Sequence, residues 1–580
     1  MKQMQYIKAI ILLAYLCPFT NVRAQLSTNE KPISFGREQE LQVRQRNANP
    51  VVTMPPLDMA KITQEDKEDE EKGMPPRFGY RHKVNYNLNN SGTWYKLPDG
   101  DKLWQLEVVC PSALSVNLCY DKFWLPEGGK LFVYSKNKKQ SIGAFTSRNN
   151  KGERERPRGF ATGIVSGDDV ILEYYQPREV NADAIISIEY VVHGYRDVYW
   201  GDLPYGNTGD CMINVNCEEG QDWQEEKNAV AFVLLEGTYY CSGSLITTTS
   251  LSEVPLFLTA NHCVFDVDKD AETAPNLEQT LFYWNYETSG CSNDTINTTI
   301  YSTSGATILA NFSYGDFALL RLTEDPKELS NYTPYYMGWD NSGSSGSLGV
   351  CIHHPNGDAK KISIPNSQPY STTSFGTGLD LYGDHWCVTS WRAKQNALGI
   401  VTLGSSGSPL LNASHKVIGQ LRGGYSNCEQ SINGPEWFGK FSSAWTGDST
   451  LPAFDTIYRR LYCWLDSLNT GTQIMEGLLV ISDVKTMTGN RHLYSNVRIT
   501  GTGQLTIQGD IELMGNSRVK VEAGGKLIID GGTFSNIDLD LKPGASLRII
   551  NGGALETRRG FKAPVGAKVE VINGKIKQAL

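Results

Sequence analysis

A serine in a glycine-rich turn, Gly404-Ser405-Ser406-Gly407-Ser408-Pro409, is the first place where this chain could do chemistry. Upstream lie a histidine in Leu258-Thr259-Ala260-Asn261-His262-Cys263 and an aspartate in Gly315-Asp316-Phe317-Ala318-Leu319-Leu320. A hydroxyl is a poor nucleophile at neutral pH, so Ser406 needs a base within hydrogen-bond reach. His262 suits that role if a carboxylate fixes its tautomer and stabilises its cation, the part that falls to Asp316. Glycines at 404 and 407 let the backbone turn sharply and aim the N–H groups of Gly404 and Ser406 at one point. Two such donors stabilise an oxyanion. Together the motifs suit nucleophilic attack on a carbonyl carbon.

Residues this far apart in sequence need a rigid frame to bring them together. Ala229 to Leu235, Leu281 to Tyr286, Phe317 to Leu322, Val417 to Leu421 and Glu436 to Phe441 read as strands. Phe454, Ile457, Leu461 and Trp464 follow Pro452 at helical spacing. Two β-barrels closed by a helix are expected over residues 205–467. Before them, 83–204 carries short alternating segments separated by Gly and Asn turns, which predicts a β-sandwich. Residues 25–82 read as a leader or linker, because the charge run Glu65 to Lys72 and Pro75-Pro76 offer little core. That charge run is expected to be a solvated stretch without function.

The last segment, 468–580, changes character, with no Trp, Tyr or Cys after Tyr494. Gln504-Leu505-Thr506-Ile507 recurs as Lys526-Leu527-Ile528-Ile529, Ser546-Leu547-Arg548-Ile549 and Lys568-Val569-Glu570-Val571. A period of roughly 20–22 residues with Gly or Asn turns predicts a small single-sheet β-solenoid or β-helix. The solenoid either binds a surface partner or only caps the protein. The fold class expected is therefore all-β and multidomain.

At 580 residues and a net charge of -9, the chain needs several domains and gives no reason to expect nucleic-acid binding. Met1 to Ala24 reads as a signal peptide, with Lys2 and Lys8 before a short apolar core and a small-residue cleavage site at Val22-Arg23-Ala24. Export exposes the cysteines to oxidation, and losing Cys17 leaves eleven of 12, so one thiol stays free or pairs between chains. A bridge between Cys241 and Cys263 would pin His262. No cysteine pair has zinc spacing, and neither a metal nor another cofactor is expected.

On the triad motifs, their His, Asp, Ser order and the blocks around them, residues 209–467 resemble secreted bacterial lysyl endopeptidases of the chymotrypsin superfamily. Cys211-Met212-Ile213-Asn214-Val215-Asn216-Cys217, Tyr283-Trp284-Asn285-Tyr286 with Cys291, and Gly419-Gln420-Leu421 with Gly423-Gly424 carry the likeness. The resemblance implies a serine endopeptidase secreted from, or held in the envelope of, a bacterium. It also implies that the domain before Trp200 is a propeptide or chaperone. Disulfides implied by it are Cys211–Cys428, Cys217–Cys291 and Cys241–Cys263. Cys351 and Cys387 remain as an extra pair, leaving Cys463 odd.

Specificity is read from the residues around the turn. Ile400, six residues before Ser406, is apolar, so a carboxylate for a basic substrate side chain must come from elsewhere. By resemblance it falls in Pro435-Glu436-Trp437-Phe438-Gly439, and Glu436 is the candidate; a surface strand position is the competing reading. Gly423 and Gly424 are expected to pair with substrate backbone by strand addition. Arg422 stands where the family tends to carry a histidine. Ser405 cannot form the N-terminal ion pair that switches on chymotrypsin-type zymogens. Activation is therefore expected to be independent of the new N-terminus, with latency coming from the N-terminal domain over the cleft. Full activity of a catalytic domain bearing one extra N-terminal residue would check this; loss of activity would refute it.

Other residues are expected to be structural. Asp266, Asp268 and Asp270 lack the glycine and final glutamate of a calcium loop, with Ala271 and Leu277 in those places. His353-His354-Pro355 has no third ligand in view, and Trp386 and Trp391 read as cleft wall or core. The favoured reading is an endopeptidase acting on proteins or peptides, preferring Lys over Arg before the cut. Its rivals are a surface-binding protein on a protease-like scaffold and a serine protease with non-basic specificity.

Overall fold

The computed structural model describes residues 27, 30–37, 51–196, 212–264, 276–293, 300–313, 315–329, 331–374, 380–392, 399–426, 434–446 and 459–578. The signal-peptide reading, the Asp266–Asp270 loop, Cys211 and Cys428 all lie outside the described residues.

The N-terminal unit is a sandwich of two sheets. One is built on Lys102–Val109, Asp169–Gln176 and Lys130–Ser135, the other on Gly79–Asn87, Ile185–Gly194 and Ser115–Trp124. Leu106, Val108, Leu118, Phe123, Val170 and Leu172 fill the space between them. The alternation read from the sequence sends those side chains to one face of each sheet.

The stretch read as a linker holds more structure than its composition suggests. Val51–Thr53 pairs in parallel with Glu107–Val109, and a helix spans Met59–Glu71. Asp58 caps that helix by accepting from the Lys61 N–H at 3.2 Å. Gln64 donates to Glu68 one turn on, and Ile62 is buried. The charge run therefore forms a helix anchored by one apolar residue.

Two mostly antiparallel sheets follow. The first orders Leu281–Trp284, Val230–Leu235, Tyr239–Leu245, Leu256–Thr259 and Phe317–Leu322 side by side. The second contains Cys351–His353, Pro409–Leu411, Lys416–Gly424, Glu436–Lys440 and Asp380–Val388. The strands expected from sequence are all present. Of the expected closing helix, the described part is a single turn, Tyr462–Leu465; Phe454 and Ile457 lie outside the described residues.

Residues 477–578 wind as a three-sided parallel β-helix rather than one sheet. The four repeats read from sequence stack in register along one side, Gln504 on Lys526, Lys526 on Ser546 and Ser546 on Lys568. Strands of the other two sides vary from three residues, as in Val519–Val521, to five, as in Thr533–Ile537, and share no motif that would show a period. The solenoid is joined to the sheets before it, since Tyr335–Tyr336 pairs antiparallel with Leu478–Leu479. One apolar cluster runs from Leu258 and Phe317 through Trp339 to Leu505 and Leu527.

Cys217–Cys291 and Cys241–Cys263 are disulfides. Cys351 and Cys387 are both free and buried, which corrects the expected extra pair. The reason is strand alternation: Cys351 packs in a cluster with Trp386, whereas Cys387, the next residue, packs on Trp437 across the sheet. Cys110, Cys119 and Cys463 are also free. Among the described residues, no helix is long and apolar enough to cross a membrane.

Candidate active site

The strand Leu256–Thr259 is followed by a short helical turn, Asn261–Val264, that carries His262. Beside it, antiparallel, runs Phe317–Leu322, with Thr259 opposite Ala318. This pairing brings Asp316 alongside His262. His262 Nδ1 lies 2.7 Å from Asp316 Oδ2, and the His262 backbone N–H donates to Asp316 Oδ1 at 2.9 Å. A carboxylate only accepts, so Nδ1 carries the proton and Nε2 presents a lone pair. Asp316 is buried, which opposes its charge. The charge and hydrogen bond of His262, with Arg422 adding its charge, nevertheless hold the carboxyl below its usual range.

Asp316 itself sits at φ 50, an uncommon conformation for a residue with a side chain. Neighbours hold it there. Asn261 N–H donates to the Asp316 carbonyl at 3.1 Å, and Gln420 Nε2 donates to the Gly315 carbonyl at 2.8 Å. A Cβ on Gly439 would collide with that same carbonyl. Thus the second sheet grips the loop that carries the acid.

The serine turn is seated in the same corner. Ser242 N–H donates to the Ser406 carbonyl at 2.8 Å, and Ser242 Oγ donates to the Gly404 carbonyl at 3.0 Å. Gly407, at φ 82, has room only for hydrogen, because a Cβ would strike Thr259 and Ser242. Ser406 is half-buried beside the strand end that leads to His262. Among the described residues no hydrogen bond joins the Ser406 hydroxyl to His262; contacts of this kind often tighten only when substrate binds.

Ser405, Gly407 and Ser408 each donate a backbone N–H, to Thr402, Leu421 and Ser405 respectively. The N–H groups of Gly404 and Ser406 have no acceptor among the described residues. They are the two donors expected to face an oxyanion.

Sequence reasoning left His353 as structural, yet it props the turn. Thr402 N–H donates to Ser405 Oγ at 3.3 Å, and Ser405 Oγ lies 2.7 Å from His353 Nδ1. His353 Nε2 lies 2.8 Å from Ser363 Oγ, which donates to the Ile400 carbonyl. Because Ser363 spends its hydrogen on Ile400, His353 Nε2 must donate and Nδ1 must accept from Ser405. Burial, with the Lys361 charge second, pushes the His353 pKa down to about 3, so this relay stays neutral. Ser405 is fully committed here.

Glu436 is buried rather than on the surface. It stands opposite Gly424 in the sheet register, and Ser426 N–H donates to its Oε1 at 2.7 Å. A Cβ on Gly424 would collide with the carboxylate, whereas Gly423 has open space around it and sits at φ 150, a conformation that favours glycine. Burial pushes the Glu436 carboxyl up to about 8 despite the Ser426 hydrogen bonds. With no cation beside it among the described residues, this buried acid is costly to ionise and ready to take one. Trp386 and Trp391 are buried with Ile400 and Phe438 in one apolar cluster.

Residues 205–439 match the family described as lysyl endopeptidase, C-terminal domain. This segment is lysyl endopeptidase-like. The lysyl endopeptidase of Pseudomonas aeruginosa is 30% identical over 317 residues, covering 50% of this chain and 62% of that protein. The chain thus spans less than two thirds of that relative's length. Among solved structures, a Glu endopeptidase in complex with MPD is 15% identical, covering 41% of this chain and 93% of that one, with a TM-score of 0.26. The active form of the Rv3671c protease from M. tuberculosis is 13% identical, covering 42% and 89%, with a TM-score of 0.25. The lysyl endopeptidase-like segment contains every residue of the site described above.

Proposed function

We propose that this chain is an exported serine endopeptidase that cuts after lysine by way of an acyl-enzyme. One observation carries the reading: Asp316 fixes the His262 tautomer in the corner where a serine turn presents two uncommitted N–H groups. In this scheme Ser406 Oγ attacks the scissile carbonyl as His262 Nε2 takes its proton. The oxyanion is held by Gly404 and Ser406 N–H, and His262 then protonates the leaving amine. Water repeats the sequence to release the acid. Disulfides at Cys217–Cys291 and Cys241–Cys263 suit an oxidising compartment outside the cytoplasm. A fluorophosphonate that fails to label Ser406 would overturn the reading.

Lysine preference is the finer part of the proposal, and Glu436 supports it. Substrate backbone paired at Gly423 and Gly424 would lead a basic side chain toward the buried carboxylate. Arg422 is compatible with a cationic substrate because its own charge acts on Asp316. Glu436→Gln is expected to lower kcat/KM after Lys by roughly 10²–10³, since orphaning one member of a buried ion pair costs about 3–5 kcal/mol. Cleavage after an uncharged residue should change far less. Equal losses on both substrates would count against the assignment.

The raised pKa gives this test a second reading. In the free enzyme Glu436 holds a proton below about pH 8, and a lysine ammonium must expel it. The ratio of kcat/KM for Lys to that for an uncharged residue should therefore rise with pH up to about 8. Taking the ratio cancels any pH dependence that the two substrates share. For stability the sign is opposite. The contribution is fully present below the ordinary 4.5 and is lost as pH climbs through about 8, because the unfolded carboxyl ionises first.

A further inference from the structure

If substrate residues before the cut pair with Gly423 and Gly424, those after it must leave on the other side of Ser406. The backbone there is Thr238–Tyr240, running into Cys241. Its closeness to the serine turn is direct: a Cβ on Gly404 would come within 2.7 Å of the Tyr240 ring, and Ser242 N–H holds the Ser406 carbonyl. An extended peptide leaving the site would lie along this edge.

The edge is already taken. Tyr240 N–H donates to the Pro76 carbonyl at 3.0 Å, and Phe78 N–H donates to the Thr238 carbonyl at 3.1 Å. Arg77 and Tyr239 form an antiparallel bridge between them. The segment arrives through Pro75-Pro76, whose fixed φ keeps it extended at little entropic cost. A small cavity lined by Asp66, Glu70, Pro75, Pro76, Arg77 and Leu403, among others, borders the segment, and Leu403 is the residue just before Gly404.

A clamp built on Asp66 of the acidic helix holds this segment. Arg77 Nε donates to Asp66 Oδ1 at 2.6 Å, and Arg77 Nη2 donates to Glu65 Oε2 at 2.8 Å. Arg196 Nη2 donates to Asp66 Oδ2 at 2.7 Å, and the Tyr195 hydroxyl donates to the same oxygen at 2.8 Å. The backbone N–H groups of Tyr195 and Arg196 both donate to the Phe78 carbonyl at 3.0 Å. Asp66 and Arg77 are both largely buried, with side chains 8% and 12% exposed, so this pairing is shielded from the screening that weakens surface pairs. The charge run expected to be idle has an inward-facing member that does this work.

We propose that Met74–Phe78 is an intramolecular strap that occupies the leaving-group side of the cleft in the intact chain. The inference rests on the serine endopeptidase reading above. It assigns latency to strand occupancy on one side of Ser406, with the nucleophile itself left open. The intact chain should therefore react with small electrophiles while discriminating against substrates that extend past the cut.

Two probes separate these behaviours in the full chain. A small alkyl fluorophosphonate reaches Ser406 without needing the Thr238–Tyr240 edge, whereas a mixed peptide library with residues on both sides of each bond requires it. In the Asp66→Ala, Arg77→Ala double variant, library cleavage should rise at least tenfold while the labelling rate stays within twofold of the parent. Equal library cleavage by parent and variant overturns the strap and leaves the endopeptidase reading standing. No labelling of the parent overturns that reading, and the strap with it. Should the variant alone fail to label, it has misfolded, and hydrogen exchange of the parent decides. Exchange of the Tyr240 and Phe78 amides at least 100-fold slower than exposed amides supports the strap; fast exchange at both refutes it.

Discussion

Ser406→Ala is expected to remove turnover, by roughly 10⁴–10⁶-fold in kcat, while leaving the melting temperature and disulfides unchanged. The size of the loss follows from chemistry: without the hydroxyl no acyl-enzyme can form, and only transition-state binding by the remaining donors persists. The absence of a folding penalty follows from the contacts. It is the Ser406 carbonyl that accepts from Ser242 N–H, and the φ 82 turn at Gly407 is untouched. The side chain is half-exposed, so removing one oxygen leaves no cavity. Turnover within tenfold of the parent, with the fold intact, would mean that another group is the nucleophile.

The second large effect is expected at Asp316. Asparagine tolerates the φ 50 backbone and keeps a carbonyl oxygen for the His262 N–H, now 2.9 Å away. Its NH₂ must then face His262 Nδ1, where a carboxylate oxygen stood at 2.7 Å. Two donors cannot share that line, so the imidazole shifts its proton to Nε2 and loses the lone pair that should receive the serine proton. Asp316→Asn should lower kcat by about 10⁴ with KM little changed. Steady-state kinetics on one peptide substrate, beside circular dichroism to certify the fold, measures both. A loss under tenfold would show that His262 takes its tautomer from elsewhere.

The parts of this protein most legible in sequence are those with local signatures. The repeat beginning at Gln504 shows because one side of each coil carries four consecutive strand residues in register. The other sides do not show, because their strands vary from three to five residues and share no common motif. His262, Asp316 and Ser406 stand out because each sits in a short, chemically distinctive run. Sequence marks His353 only as structural and gives Gln420 no role of its own, since their partners, Ser405 and Gly315, are 52 and 105 residues away. A buried glutamine inside the apolar strand Val417 to Leu421 was the available signal, because such an amide must find partners. The acidic helix was obscured for the opposite reason. Composition reports the average of a segment, whereas Asp66 matters through the one direction it faces.

The junction between Tyr335–Tyr336 and Leu478–Leu479 has a mechanical consequence. The connecting loop is tied as well, with Asp466 accepting from Thr249, Thr470 and Gly471. Strand pairing, a common interior and a pinned connector leave little swivel at that joint. Any torque applied to the distal coils would therefore turn the cleft between His262 and Ser406 with them, as a mount does and a leash does not.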